Sequence, residues 1–282
     1  MSEIIASYNQ AEYFVDEIGQ PIRVGEINAE VENLLQKFNA SSWSFITAWN
    51  PLSVEFSAEE NFRRNHKLKE DLTDYRIFEG EGRDSQGLWT PERSFLILGI
   101  SRSQAKNLGV KYGQRAILFG EKNKPCELVE TFFTKGNCEI IRREKTAFLC
   151  SRKVSASVVL KCYDWAIAQR EAGNCVISGF HSQIERDVLH YLLKGSQPII
   201  VALARGLKKQ LEPELTEPLE KGRLLIISPF ADKINRVSRE NALIRNRMMI
   251  DLADKLTVGF AETGGMTEKL IEKCPAKTEF IR

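Results

Sequence analysis

Hydrophobic and polar positions along the 282 residues fall into two rhythms, and the change lies near Lys145. Before it, short apolar runs alternate with helical spacings in an uneven order. Ile27, Val31, Leu34, Leu35 and Phe38 recur at helical spacing, which predicts a short helix. WSFITAW (43–49) reads as a strand that Asn50-Pro51 breaks, and Ser57-Ala-Glu-Glu reads as a helix start running to about Leu72. Tyr75–Phe78 reads as a second strand, GEGRDSQGLW (80–89) as a glycine-rich loop, and SFLILGI (94–100) as a third strand. Ser101 is expected to cap a helix through Leu108, and RAILFG (115–120) is a fourth strand. The order βαββαβ is that of a ferredoxin-like sandwich, with helices in both crossovers, as parallel pairing requires. Residues 1–25 show only weak patterning.

Cys126–Arg143 reads as a hairpin closed by a Lys135-Gly136-Asn137 turn, extending the first sheet or bridging the two halves. From Lys145 the chain repeats strand-then-helix units. The expected strands are TAFLC (146–150), NCVISGF (174–180), PIIVALA (198–204), LLIISPF (224–230), KLTVGFA (255–261) and KTEFI (277–281). Helices are expected over Ser155–Ala172, Ser182–Lys194, Arg239–Asp254 and Thr267–Lys273, with Ser155 as a cap and Gly173 as a stop. The strands are continuous apolar runs, the mark of a parallel sheet covered on both faces. The expected fold is therefore α/β. A Rossmann-like doubly wound parallel sheet spans 145–282, a hairpin or linker 126–144, and an α+β domain, ferredoxin-like in order, 1–125.

Composition narrows the functions. Forty Lys and Arg against 38 Asp and Glu leave a net charge of +2, so any anion site must come from local arrangement. No apolar run approaches the ~18–20 residues that span a bilayer, and the first ten residues lack a signal-peptide pattern. A cytoplasmic protein without membrane association is the expectation. The six cysteines form no Cys-x-x-Cys pair and read as reduced thiols; with three scattered histidines they suggest no metal site. Nothing in the sequence asks for a cofactor.

Candidate chemistry gathers at strand ends of the second half. Cys150 leads into Ser151-Arg152, and Ile177 into Ser178-Gly179-Phe180-His181-Ser182. Ala261 leads into Glu262-Thr263-Gly264-Gly265-Met266-Thr267. Small residues let peptide N–H groups approach a ligand, and a following helix start favours an anion. The Gly264-Gly265 pair would leave the backbone bare where a phosphate could sit; Gly179 alone is equally a simple turn. Arg239, Arg245 and Asn246 enter the helix ahead of KLTVGFA, where guanidinium groups suit phosphate better than they suit the helix dipole. In the first half, Asn50, Asn61, Arg64, Glu81 and Asp84 could converge on one cleft, although Asn50 and Asp84 are also ordinary turn residues.

The strand–Ser178-Gly179-Phe180–helix unit, ALARG (202–206), and RNRMMIDLADKLTVGFAETGG (245–265) resemble the DprA/Smf DNA-processing family, and more broadly the SLOG superfamily of Rossmann-like proteins. The resemblance covers 145–282. Ser178-Gly179 match the start of a Ser-Gly-Gly motif whose second glycine is Phe180 here, and Arg245-Asn246-Arg247 match an Arg-Asn-Arg run. The family's Gly-Ser-x-x-Thr-Ala signature is replaced by Gly264-Gly265-Met266-Thr267-Glu268. The stretch also resembles the LOG branch of phosphoribohydrolases, with Arg245 at its arginine position, Gly264-Gly265 at its glycine pair and Thr263 in place of proline. That likeness would make Glu268 the catalytic carboxylate, and Glu268 is equally an ordinary acid at a helix start. The first half resembles an uncharacterised bacterial domain of unknown function through FITAWNP (45–51), Asn61–Asn65, GEGRD (80–84), Trp89, Ser94 and Gly113-Gln114.

Three functions follow as expectations. The leading one is binding of a nucleotide, a nucleotide-derived molecule or a nucleic-acid phosphate. The others are hydrolysis of a nucleoside monophosphate at its N-glycosidic bond, and single-stranded DNA binding in DNA processing. The resemblance also implies a homodimer as a possible state.

Overall fold

The computed structural model describes residues 3–84, 89–152, 154–208, 210–272, 274 and 277–281. The chain divides into two compact units, Met1–Phe132 and Phe133–Arg282.

The first unit runs α1 (Glu3–Gln10), β1 (Glu12–Val15), α2 (Ala29–Lys37), β2 (Ser42–Ile46), a 3-10 turn at Pro51–Ser53, α3 (Ala58–Asp71), β3 (Arg76–Arg83), β4 (Glu92–Leu98), α4 (Arg102–Lys111), β5 (Ala116–Glu121) and β6 (Glu127–Glu130). Its sheet has the order β1-β3-β4-β2-β5-β6. The central four strands carry the ferredoxin-like order expected from the sequence, flanked by one extra strand on each side. Every pairing in this sheet is antiparallel, so the two helix-bearing crossovers join strands that another strand separates, and neither makes a parallel pair. Capping sets the helix starts. Ser57 Oγ accepts the Glu60 N–H at 3.2 Å, and Ser101 with Gln104 forms a complete capping box. Leu68, Leu72, Ala105 and Ile97 fill one face of the sheet, and Tyr13, Val31, Leu35, Phe45 and Leu96 the other.

Three local expectations change. Residues of the weakly patterned N-terminus form α1 and β1, the latter too short to show a period. The glycine-rich stretch is strand as far as Arg83, because cross-strand partners on β1 and β4 extend the ladder; residues 85–88 lie outside the described residues. The 126–143 segment is no hairpin. β6 pairs with β5, whereas β7 (Phe133–Gly136) pairs with a strand of the second sheet, and Cys138–Arg142 is a 3-10 turn. Each strand pairs over four residues, β6 in the first sheet and β7 in the second.

The second unit continues with β8 (Lys145–Leu149), α5 (Ala156–Glu171), β9 (Cys175–Ser178), α6 (Gln183–Leu193), β10 (Ile199–Ala202), a 3-10 turn at Pro213–Leu215, α7 (Thr216–Glu220), β11 (Leu224–Ser228), α8 (Arg239–Leu252), β12 (Lys255–Val258), α9 (Met266–Ile271) and β13 (Thr278–Phe280). The order β13-β12-β8-β9-β10-β11-β7 is parallel except for β7 at one edge. β9, β10 and β11 are buried at every position, as continuous apolar runs demand. Starting at β8, the chain steps outward to β11, then returns through α8 to β12 on the far side of β8. The switch point therefore lies between β8 and β12, at whose carboxyl ends ligands of such sheets bind. Ser155 begins α5 without capping it, its hydroxyl being taken by Ser157. Lys273, the expected end of the last helix, lies outside the described residues. Among the described residues, no helix is long and apolar enough to cross a membrane.

Candidate functional site

The strand ends of the second unit converge as two adjoining groups, with α8 between them. In the first, Arg245 reaches from α8 to the β9–α6 turn. It is 4% exposed, and its Nη1 donates to Ala202 O at the end of β10 at 2.9 Å. Its Nε is buried without a hydrogen-bond partner. The guanidinium lies directly on the Gly179 backbone: a Cβ there would sit 1.3 Å from Nη1 and 2.0 Å from Cζ. Even a methyl group at position 179 would collide with the guanidinium, so any side chain there requires Arg245 to move. Burial lowers the Arg245 pKa, with the Glu185 carboxylate acting the other way.

Ser178 is fully buried below this turn. Its hydroxyl donates to Phe148 O at 2.9 Å, so it braces β8 against β9. Phe180 has φ 45° and a buried ring. The left-handed backbone that a Ser-Gly-Gly motif would supply with glycine is kept here by a phenylalanine anchored in the core.

A cavity of about 310 Å3 opens beside Arg245. Its wall joins the Gly179–His181 turn to Arg186, Arg205 and Lys208, with Leu189, Leu203 and Leu215 as apolar lining and Glu212 and Glu214 at the rim. Lys208 is paired with Glu212. Arg186 donates to His181 O at 2.7 Å and Gln183 Oε1 at 2.9 Å. Loss of hydration, then the charges of Arg245 and Arg152, hold His181 below its ordinary pKa. That electrostatic link places Arg152 in the same positive field.

The peptide donors expected to be bare are occupied. Ser182 and Glu185 form a capping box in which Glu185 Oε2 accepts the N–H groups of His181 (2.8 Å) and Ser182 (3.1 Å). In the second group, Glu268 Oε2 accepts the Gly264 N–H at 2.6 Å, and Glu262 O accepts that of Gly265 at 2.8 Å. A carboxylate three or four residues along satisfies the His181, Ser182 and Gly264 donors, and a backbone carbonyl three residues back that of Gly265. Both loops thus carry their own anion, and the positive character of the site comes from guanidinium groups. Ser151 Oγ accepts the Glu262 N–H at 3.0 Å and ties the ends of β8 and β12 together. Asn246 is buried, with Nδ2 3.9 Å from Met266 Sδ and Oδ1 unpartnered. Thr267 is half-buried in the first turn of α9, and Arg239 is exposed at the start of α8.

Sequence reasoning passed over Arg186, Arg205 and Glu185. Arg205 follows the end of β10 and would have been found by applying the strand-end rule to ALARG. Glu185 is legible as the acid of a Ser-x-x-Glu capping box.

In the first unit, Asn50, Asn61 and Arg64 do come together. The Asn50 N–H donates to Asn61 Oδ1 at 2.9 Å, and Asn61 Nδ2 donates to Asn50 Oδ1 at 2.8 Å. Arg64 donates to Ala48 O at 3.1 Å and Tyr112 O at 3.2 Å. All three hold the segment after β2, where Asn50, Leu52 and Ser53 have φ of 45°, 56° and 60°. Asn50 Nδ2 also donates to Glu92 Oε1 at 2.8 Å, a residue absent from the expected cluster. Glu81 lies elsewhere: it pairs with Arg83 and lines a cleft of about 360 Å3 against α3. Its register partner is Arg93, so it faces away from Glu92. Asp84 follows the end of β3.

These features define the second unit as a Rossmann-type α/β domain with an arginine-lined cavity at the carboxyl edge of its sheet. The family model of DNA recombination-mediator protein A matches residues 122–267, more than half of the 282, and the chain belongs to that family. A family described as protein of unknown function matches residues 46–117. No curated protein matches the sequence. Among solved structures, the chain is similar to DNA processing protein A from Helicobacter pylori, described for its single-stranded DNA binding mode. The identity is 16%, over 56% of this chain and 73% of that one, with a TM-score of 0.45. DNA processing protein A from Streptococcus pneumoniae is also 16% identical, over 76% of this chain and 66% of that one, with a TM-score of 0.43. The Moco carrier protein of Chlamydomonas reinhardtii is 6% identical over 49% of this chain and 89% of its own, with a TM-score of 0.31.

Proposed function

We propose that the second unit binds single-stranded DNA through its phosphates, at the carboxyl edge of the sheet, in a DNA-processing role. The observation that carries this reading is Arg245. A buried guanidinium is costly without partners. This one keeps an unpartnered Nε beside a cavity that Arg186, Arg205 and Lys208 also line. Guanidinium groups suit phosphate oxygens, and membership of a recombination-mediator family supports a nucleic-acid ligand.

The test is fluorescence anisotropy with a labelled oligothymidylate. For a single strand, log K falls by about 0.7 per log unit of salt for each phosphate neutralised. Three to five such contacts predict a loss of roughly 100-fold between about 50 and 300 mM salt. Arg205→Ala and Lys208→Ala should each flatten the slope by about 0.7. Binding that ignores both substitutions would overturn the proposal. Adenosine monophosphate separates the related readings: micromolar displacement of the strand would assign the cavity to a mononucleotide, and release of free adenine would assign it to N-glycosidic hydrolysis.

A further inference from the structure

Two cysteines meet beneath the carboxyl edge of the second sheet, outside the arginine-lined cavity. Cys150 follows β8, and Cys162 lies in the second turn of α5. They are 6% and 0% exposed and belong to one core cluster. The packing of α5 on β8 sets them at the same level. Side chains alternate along a strand, so Phe148 and Cys150 share a face of the sheet. Residues three and four apart share a face of a helix, so Cys162, Trp165 and Ala166 form one stripe of α5. The Phe148 and Trp165 rings stack with centroids 4.9 Å apart and planes at 22°. A helix that runs back along the strand it follows then carries Cys162, a turn before Trp165, to the height of Cys150, two residues beyond Phe148.

Gly259, just after β12, shows where the sulfurs lie. Backbone bonds from Gly259 N–H to Leu149 O and from Ser151 N–H to Phe260 O, both 2.9 Å, carry the pairing of β8 with β12 past Cys150. A Cβ on Gly259 would stand 2.7 Å from Cys162 Sγ and 3.0 Å from Cys150 Sγ. Both sulfurs therefore rest over one bare Cα. They also interact with each other. Their hydrogen bond, ahead of burial, pushes Cys150 up, and the same bond holds Cys162 down against burial. The other cysteines sit elsewhere. Cys126 is in the first unit, Cys175 begins β9 at the opposite edge of the sheet, Cys138 donates to Thr134 Oγ1 at 3.6 Å, and Cys274 donates to Leu270 O at 3.4 Å.

We propose that Cys150 and Cys162 are a site of reversible oxidation, closing to a disulfide in the presence of a peroxide. The thiolate is the attacking form of a cysteine. Cys162 Sγ attacks one peroxide oxygen, the O–O bond breaks, and the departing hydroxide takes up the proton that the thiol released, forming water. Cys150 Sγ then attacks the sulfenic acid at Cys162. The S–S bond forms, the S–O bond breaks, and the hydroxyl leaves with the Cys150 proton as a second water. Two thiols lose two electrons and one peroxide gains them. The new bond ties α5 to the end of β8, immediately before Ser151 and Arg152. This proposal does not depend on the DNA-binding reading.

The experiment treats the native full chain with a few molar equivalents of hydrogen peroxide, stops the reaction with catalase and counts thiols in denaturant. The six thiols of the sequence should fall by two. Peptide mapping should find Cys150 joined to Cys162, and dithiothreitol should restore both. Cys150→Ala and Cys162→Ala should each form no disulfide. In Cys150→Ala the reaction should stop at the sulfenic acid of Cys162, labelled by dimedone at least about fivefold more than in the parent. Thermal melts under reducing conditions check that the variants fold. The parent in urea supplies a measurement that needs no variant. Cys138, Cys150 and Cys162 are evenly spaced along the chain, so the unfolded protein should join Cys138 to Cys150 about as often as Cys150 to Cys162. The native protein should favour the second pair by at least about tenfold. Six thiols left after peroxide, a disulfide between any other pair, or the same mixture of linkages in native and unfolded protein would each overturn the proposal.

Discussion

Replacing Gly179 by valine is expected to abolish oligonucleotide binding and to destabilise the second unit by about 2–4 kcal/mol. The reason is collision. The first added carbon would stand 1.3 Å from Arg245 Nη1, so the guanidinium must leave its bed. It then gives up the bond to Ala202 O and needs a new place for a buried charge. Alanine should do most of this damage, because the clash is already complete at Cβ. Conformational freedom is not the issue, since Gly179 is not among the positions with positive φ. A double-substitution cycle makes the argument sharp. In Arg245→Ala the obstacle is gone, so adding Gly179→Ala should cost little further stability in thermal melts. If the two substitutions were instead additive, the contact between glycine and guanidinium would not be the reason for the glycine.

Glu92→Gln is expected to stabilise the first unit at pH 8 by about 2–3 kcal/mol and to leave it nearly unchanged at pH 4. The folded carboxyl titrates at about 7 against an ordinary 4.5. Between these values the folded chain holds a proton that the unfolded chain has released. Stability contributed by Glu92 is therefore greatest below about pH 4.5, falls as pH rises, and is fully lost above about pH 7. Glutamine is neutral throughout, so the variant should melt with a flatter pH profile. Denaturant unfolding of both proteins from pH 4 to 8 measures the difference. Parallel profiles would mean that Glu92 ionises as an exposed carboxylate does.

The sequence alone settled what depends on neighbours along the chain. Continuous apolar runs between helices specify a parallel α/β unit, because buried strands cannot alternate and a parallel crossover needs a helix. Residues such as Ser101, Ser182 and Gly173 mark helix ends through bonds or dihedral angles a few residues long. The strand end at Ser178-Gly179, and Arg245 in the helix between β11 and β12, could be marked as candidate chemistry for the same reason. Tertiary structure decided what depends on partners far apart in the chain. It sent β6 and β7 to different sheets, made Gly179 a seat for an arginine 66 positions away, and set a carboxyl from β4 against an asparagine that follows β2. It also filled the peptide donors of both glycine-bearing turns with Glu185 and Glu268. Local pattern records which conformations a segment prefers. Desolvation, close contact and competition for a hydrogen-bond donor exist only once distant segments share the same space.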